Sequence, residues 1–443
     1  MTSSHPTPAP RQWFVHLSNA LDRRSATKLA LLFMGAVLAR GRRTITTWIR
    51  AAGLGECYQS CYIAVAAAGK RARRIASRLL DEVVAPLTTG SERLTLAIDD
   101  TPTRRYGPFV QGAGIHHNPT PGPAGSPRVY GHVFVVLALL VEHPAWGVIA
   151  LPLWSRLYVR KADLPSVYPQ HRPEFRTKLE MAVELLRWAA LPLGLLKRPI
   201  WLVADGAYAK REVLKAAGEL GITTVSRLRK DAALRTVPGP RPVGKRGRPR
   251  VYGENAISLA KRAGQKRGWT RGVLQLYDGT AVKRYKTFLA TWRPAGGVIR
   301  VVLVDEPHGW RAYFCTDPDA TVADVLATIA DRFSLEIAFR EVKEVVGAGK
   351  QQTRFIHASV GSFHVCLWTY TMTEAWAWRR SEAELVDRRA SPWDDPTRRP
   401  SHADKRRAWR REMLAAEILA VMRAGPSEAE IQAAVDRLLA LAA

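Results

Sequence analysis

Arg332, Glu336, Arg340 and Lys343 recur at three- and four-residue spacings within the stretch Ile329-Ala-Asp-Arg-Phe-Ser-Leu-Glu-Ile-Ala-Phe-Arg-Glu-Val-Lys343. Read as one helix at about 100° per residue, they share a sector of roughly 80°, beside an apolar stripe of Leu335, Phe339, Val342 and Val346. Such a helix packs on one face and offers a carboxylate flanked by cations on the next. A mixed polar face also serves solubility alone, and spacing by itself favours that reading. Two aspartates elsewhere shift the balance. The apolar run Leu94-Thr-Leu-Ala-Ile98 reads as a buried strand entering Asp99 and Asp100, and Pro199-Ile-Trp-Leu-Val-Ala204 reads as another entering Asp205-Gly206. Carboxylates at strand ends are common turn formers. Together with Glu336, however, they give three hard oxygen ligands drawn from distant parts of the chain. That set suits one or two Mg²⁺ or Mn²⁺ ions and phosphoryl transfer.

At these residues the sequence resembles the cut-and-paste DDE transposases of bacterial insertion sequences, in the insertion-sequence-four-like group. That group carries a Tyr-x2-Arg-x3-Glu-x6-Lys signature, matched here by Arg332, Glu336 and Lys343, with Ile329 standing in the Tyr position. Asp99-Asp100-Thr101 matches the family's Asp-x-Thr context, and Asp205-Gly206-Ala207-Tyr208 its Asp-Gly-x-Tyr-like context. The resemblance spans roughly Ser91 to Ala377. It implies catalytic, metal-binding roles for Asp99, Asp205 and Glu336 and use of two Mg²⁺ (or Mn²⁺) ions; Arg332 and Lys343, with Arg340 on the same helix face, cannot bind a cation and read as contacts to DNA phosphates. Strand alternation lets only one of the first two aspartates face the site, and Asp99 is preferred over Asp100.

The chain as a whole is long and basic. Its 443 residues exceed one ordinary domain, and 47% hydrophobic content can fill two or three cores. Lys and Arg number 67 against 39 acidic residues, a net charge of +28, which argues for a polyanionic partner. Double-stranded DNA is the reading taken; no apolar run approaches the roughly 18 residues of a membrane-spanning helix. Of four cysteines only Cys57 and Cys61 are close, and without a third ligand nearby they read as buried thiols. The start, Met1 to Pro10, reads as a disordered lead-in without a signal-peptide plan. A reducing bacterial cytoplasm, with nucleoid association, fits both.

Four regions must position these residues. Residues 1–90 read as a basic helical DNA-end-binding domain, in which Thr44 caps a helix carrying Ile45, Trp48 and Ile49 inward. A helix-turn-helix use of it would bring Thr46, Thr47 and Arg50 to a groove. Residues 91–226 plus 319–380 give three strands, a crossover helix, then strand, helix and strand. That is the order of a ribonuclease-H-like, retroviral-integrase-like α/β core. His116 and His117 fall in the loop expected to overhang the site. Residues 227–318 read as a β-rich insertion beginning with a basic Pro/Gly run, where Arg246-Gly-Arg-Pro-Arg250 places Arg246, Arg248 and Arg250 for phosphate or minor-groove contact. Residues 381–443 read as a linker followed by two helices suited to homodimer formation or to docking on the same chain.

The function expected is a transposase that binds insertion-sequence ends, cleaves DNA and joins the 3′-OH to target DNA. A ribonuclease-H-like nuclease without strand transfer and a DNA-binding regulator lacking cleavage are the alternatives.

Overall fold

The computed structural model describes residues 10–118, 125–240, 247–276, 279–423 and 425–442. Five helices come first: α1 (Pro10–Ser18), α2 (Arg23–Leu38), α3 (Ile45–Ala51), α4 (Tyr58–Lys70) and α5 (Ala72–Leu79). Their starts are set by short polar side chains. Asp22 accepts from the Ser25 amide at 3.1 Å, and Thr44 accepts from the Thr47 amide at 3.2 Å, with Ile45, Trp48 and Ile49 buried as expected. Cys57 departs from expectation. It precedes α4 in a short 3₁₀ turn and is exposed, while Cys61 one helical turn later is buried.

The strands follow as β1 (Leu94–Arg104), β2 (Gly114–His117), β3 (Arg128–His143) and β4 (Gly147–Tyr158). After them come α6 (Lys178–Gly194), β5 (Ile200–Ala204), α7 (Arg211–Glu219) and β6 (Ile222–Leu228). The next stretch carries β7 (Leu234–Arg235), β8 (Ala256–Ile257), α8 (Leu259–Gly264), β9 (Thr270–Leu276), β10 (Gly279–Trp292), β11 (Gly297–Asp305) and β12 (Arg311–Cys315). The remainder is helical: α9 (Val322–Asp331), α10 (Phe333–Glu341), α11 (Ile356–Ala377), α12 (Glu382–Leu385), α13 (His402–Arg423) and α14 (Glu428–Ala442).

The twelve strands among the described residues join one mixed sheet. β1 pairs antiparallel with β3 and parallel with β5, β5 pairs parallel with β6, and β4 lies on the outer side of β3. The central strands β1 and β5 are apolar run after apolar run because helices cover the sheet. β6 also pairs antiparallel with β12, so the strands of residues 227–318 extend the same sheet rather than forming a second one, although they enclose their own apolar cluster around Leu234, Trp292 and Phe314.

α11 is buried along almost its whole length, between β4 and α4. β4 bulges at Leu153, where Pro152 offers no amide hydrogen. The carbonyls of this bulge are satisfied by α11: Trp368 Nε1 donates to Leu153 O at 2.8 Å and Thr371 Oγ1 to Pro152 O at 2.7 Å. On the other side α4 and α11 cross at glycines. A Cβ on Gly361 would lie 1.8 Å from Val65 O, and one on Gly69 2.0 Å from His357 O.

Three expectations change here. The stretch Ile329–Lys343 is not one helix: α9 ends and α10 begins at Arg332, and a π-helical turn over Val342–Val346 carries Lys343. His116 and His117 lie on β2, not in a loop, because Gly114–His117 pairs with Arg128–Gly131 of β3. The stretch read as a linker is fastened down, with Arg398 gripping Asp394 and Asp404 and Arg399 donating to Trp146 O. The first half of α13 packs on its own chain, where Trp409 stacks on Trp376 and Arg406 donates to the carbonyls of Ala36 and Ala39 at 2.8 and 2.6 Å. Among the described residues no helix is long and apolar enough to cross a membrane.

Candidate active site

Parallel pairing of β1 with β5 matches Ile98 to Ala204, so the next residues, Asp99 and Asp205, stand side by side; β1 does not end at Ile98 as expected but continues to Arg104 through its pairing with β3, which keeps Asp99 within the strand while Asp205 begins the turn after β5. The carboxyl ends of parallel strands are where ligands of open α/β sheets gather. Asp205 is exposed and begins a tight turn in which the Tyr208 amide donates to its carbonyl at 2.9 Å. Ser226 Oγ donates to Ala204 O at 2.8 Å and so fixes the end of β5.

Asp99 and Asp100 face different elements, as strand alternation requires. Asp99 Oδ2 accepts from Arg332 Nη1 at 2.9 Å, and the same guanidinium donates from Nη2 to Glu336 Oε1 at 2.6 Å. Asp100 instead accepts from Lys178 Nζ of α6 at 2.6 Å and from the Tyr208 hydroxyl at 3.1 Å. Burial pushes the Tyr208 phenol well above its ordinary range, so it remains a hydrogen-bond donor.

Asp99 therefore sits against the Glu336 helix and Asp100 does not. Burial pushes the Asp99 carboxyl up to about 6; Arg332 and the Asp100 amide oppose the rise, while the charges of Asp100 and Asp205 add to it. Among the described residues, no three His, Cys, Asp or Glu side chains are grouped closely enough to hold a metal ion. The carboxylates expected to form one cage are instead arranged as an Asp99–Arg332–Glu336 bridge with Asp205 beside it. The donor chemistry, carboxylate oxygen throughout, nevertheless fits a hard divalent ion.

The other candidate cations are spread more widely. Lys343, on the π-helical turn, is half-buried, and burial lowers its affinity for a proton. It makes no ion pair among the described residues. Arg340 is exposed, 3.5 Å from Glu341. Arg50 is exposed on the last turn of α3, away from any described partner. Arg248 and Arg250 are exposed, Arg250 pairing with Glu254, and Arg246 lies outside the described residues.

Several positioning residues carry no motif and escape sequence reading. Arg93 clamps the start of β1 to α9, donating to Asp324 at 2.7 Å and Thr328 at 3.3 Å while lying 4.3 Å over the Trp201 ring. Buried Arg105, just past β1, donates to His132 Nδ1 at 3.0 Å and to Gln351 O at 2.6 Å. His132 Nε2 in turn meets Gln111 O at 2.9 Å, and burial holds the imidazole down to about 3, so it stays neutral and accepts from Arg105. Arg43 donates to Val345 O at 3.2 Å and Gln351 Nε2 to Arg43 O at 2.7 Å, which fastens the turn before α3 to the turn bearing Lys343.

Residues 16–293 match the family described as DDE superfamily endonuclease. The chain belongs to that family. The matched span contains Asp99, Asp100 and Asp205 and ends before Glu336. Membership places the chain among enzymes that act on DNA, in a superfamily that typically uses divalent metal ions. Its mixed α/β architecture accords with that family. No curated protein matches the sequence.

Proposed function

We propose that this DDE endonuclease is a transposase of the insertion-sequence-four-like group, which binds the ends of its element, cleaves there and joins the freed 3′-OH to target DNA. The observation that carries the reading is the adjacent placement of Asp99 within β1 and Asp205 just after β5, with Glu336 tied to Asp99 through Arg332. The order β4-β3-β1-β5-β6, with only β1, β5 and β6 parallel, supports a ribonuclease-H-like core. Residues 1–90 serve as the DNA-end-binding region and 227–318 as an insertion.

Asp99, Asp205 and Glu336 are the residues that would hold Mg²⁺ or Mn²⁺, as one or two ions. Such an ion, when bound, supplies activation of the attacking oxygen and neutralises charge developing on the phosphate. The chain's own part is orientation. β1 carries Asp99 and the turn after β5 carries Asp205, Arg93 anchors α9, which precedes the Glu336 helix, and Lys343 and Arg340 offer positive charge to the strand's phosphates. Each reaction replaces one P–O bond by another: water displaces the 3′ oxygen at cleavage, and that 3′-OH later displaces an oxygen of the target strand. The net charge of +28 supports double-stranded DNA as partner. Exposed Ile418, Leu419, Met422 and Leu439 on α13 and α14 offer a surface for a homodimer on DNA.

The test uses the purified chain, Mg²⁺ and duplexes carrying the inverted repeats that flank its coding region. Cleavage followed by joining to a second duplex is expected, and Asp205→Ala or Glu336→Ala should remove both while leaving DNA binding. Cleavage without joining would leave a nuclease, and binding without cleavage a regulator.

A further inference from the structure

Just past β1 the protein leaves a group of aromatic rings in solvent. The Arg354 guanidinium carbon lies 5.8 Å from the ring centre of Phe109 and 6.0 Å from that of Phe355. One of its nitrogens donates to the Tyr168 hydroxyl at 3.4 Å, and the Tyr168 and Phe355 rings are 6.0 Å apart. Phe109 is 73% exposed, Phe355 49% and Tyr168 40%, although Phe14, Phe33, Phe134, Phe314 and Phe363 are fully buried. Three exposed rings gathered around one guanidinium at one place mark a contact surface.

The surface is built rather than loose. The Gln111 amide donates to Arg354 O at 2.9 Å and the Ile356 amide to Gln111 Oε1 at 3.2 Å. Val159, Val167 and Ile356 form a small apolar cluster of their own alongside. Arg354 has no carboxylate partner among the described residues, so its charge awaits an outside anion. Exposed ring faces next to an uncompensated planar cation match one chemistry in particular: a nucleobase that stacks, attached to a phosphate that pairs. Bases inside a duplex have no free face, so the ligand is an unpaired nucleotide. β1 continues from Asp99 to Arg104, roughly 17 Å at about 3.3 Å per residue, and Phe109 follows shortly after.

We propose that Phe109, Tyr168, Arg354 and Phe355 form a platform that stacks unpaired nucleotides of a DNA strand running from the Asp99–Asp205 site. It rests on the DNA-cleaving reading above, and its test keeps the two apart. Binding is measured by fluorescence anisotropy, without divalent metal, on a blunt duplex, on the same duplex with a short single-stranded tail, and on one whose tail is abasic. The wild-type chain should bind the tailed duplex more tightly than the blunt one, and the abasic tail should lose that advantage. Phe109→Leu with Phe355→Leu keeps apolar volume but removes the rings, and should cut the tail advantage by roughly 5- to 100-fold while leaving blunt-duplex affinity unchanged. Arg354→Ala should reduce the same advantage. A tail advantage unchanged in the double variant, or equal for abasic and normal tails, would overturn the platform with DNA binding intact. Failure of the wild-type chain to bind any of the three duplexes would overturn the DNA reading and the platform with it.

Discussion

Arg332 reaches across 233 residues of sequence to place its Nη1 2.9 Å from the Asp99 carboxylate. Since its Nη2 also holds Glu336, this one side chain supplies the positive charge shared by two of the three carboxylates proposed as metal ligands.

Removing that charge should alter the electrostatics before the chemistry. In the metal-free protein the Asp99 carboxyl is expected to titrate near pH 6, ionised above and protonated below. Because Arg332 opposes the upward shift, Arg332→Ala should move that midpoint higher, followed by carboxyl NMR. Mn²⁺ affinity by calorimetry should rise severalfold as the competing cation leaves, while cleavage at limiting protein falls about tenfold through lost phosphate contact, a barrier change of about 1.4 kcal/mol. Unchanged Mn²⁺ affinity would remove Arg332 from the charge balance of the site.

Asp99 and Asp100 should separate cleanly under substitution. Asp99→Asn should lower cleavage by roughly a hundredfold or more, the scale of several kcal/mol lost from transition-state charge stabilisation. Asp100→Asn should cleave but melt at lower temperature, because Lys178 would lose its carboxylate partner. Equal loss of activity in both would place Asp100 in the reaction as well.

The α4–α11 crossing predicts two intolerant glycines. Gly361→Ala and Gly69→Ala each put a Cβ within about 2 Å of a backbone carbonyl oxygen, a contact no rotamer can relieve. Each should cost about 3 kcal/mol or more, at the upper end of overpacking penalties. Thermal melting checks this, and a wild-type melting temperature in either variant would mean that the crossing is looser than described.

Glu374 predicts an acid limb. It is buried with His402 Nδ1 at 2.7 Å and Lys405 Nζ at 2.5 Å. Burial pushes its carboxyl up, but Lys405 and His402 outweigh that and hold it down at about 2. A carboxyl depressed on folding contributes stability above its unfolded value near 4.5, and that contribution is lost as pH falls toward 2. Glu374→Gln should therefore destabilise the chain by about 3 kcal/mol at pH 7 by leaving Lys405 buried without its partner, and the gap should narrow below pH 4.5. A gap constant from pH 7 to pH 3 would contradict the assignment.

The apolar runs of the sequence were enough to locate the start of β1 and the whole of β5, because each is a contiguous apolar stretch that meets an acidic residue. Thr44 announced α3 by its own side chain. The break at Arg332 had no such herald: neither Pro nor Gly stands there, and what accompanies it is Ser334 Oγ donating to Asp331 O at 2.7 Å. His116 could not be placed on a strand because its pairing partner, Val129, belongs to another element. Lys178, Arg93 and Arg105 likewise gain meaning only through partners that the fold brings from afar. Asp205 was legible as a strand end, but Asp99 only as the close of an apolar run, because β1 continues to Arg104 by pairing with a distant strand; nor was it legible that a guanidinium would stand between Asp99 and Glu336.

The order in which the sheet is completed bears on synthesis. β6 has β5 as an early neighbour, but its other edge waits for β12, and Arg332 and Glu336 emerge later still. While the ribosome has delivered only Asp99 and Asp205, the nascent chain holds two carboxylates and no third. With the proposed ligand set, a chain that stalls or is truncated before Glu336 lacks its third carboxylate, so the proposed capacity to cut DNA arises only after every strand of the sheet has been made.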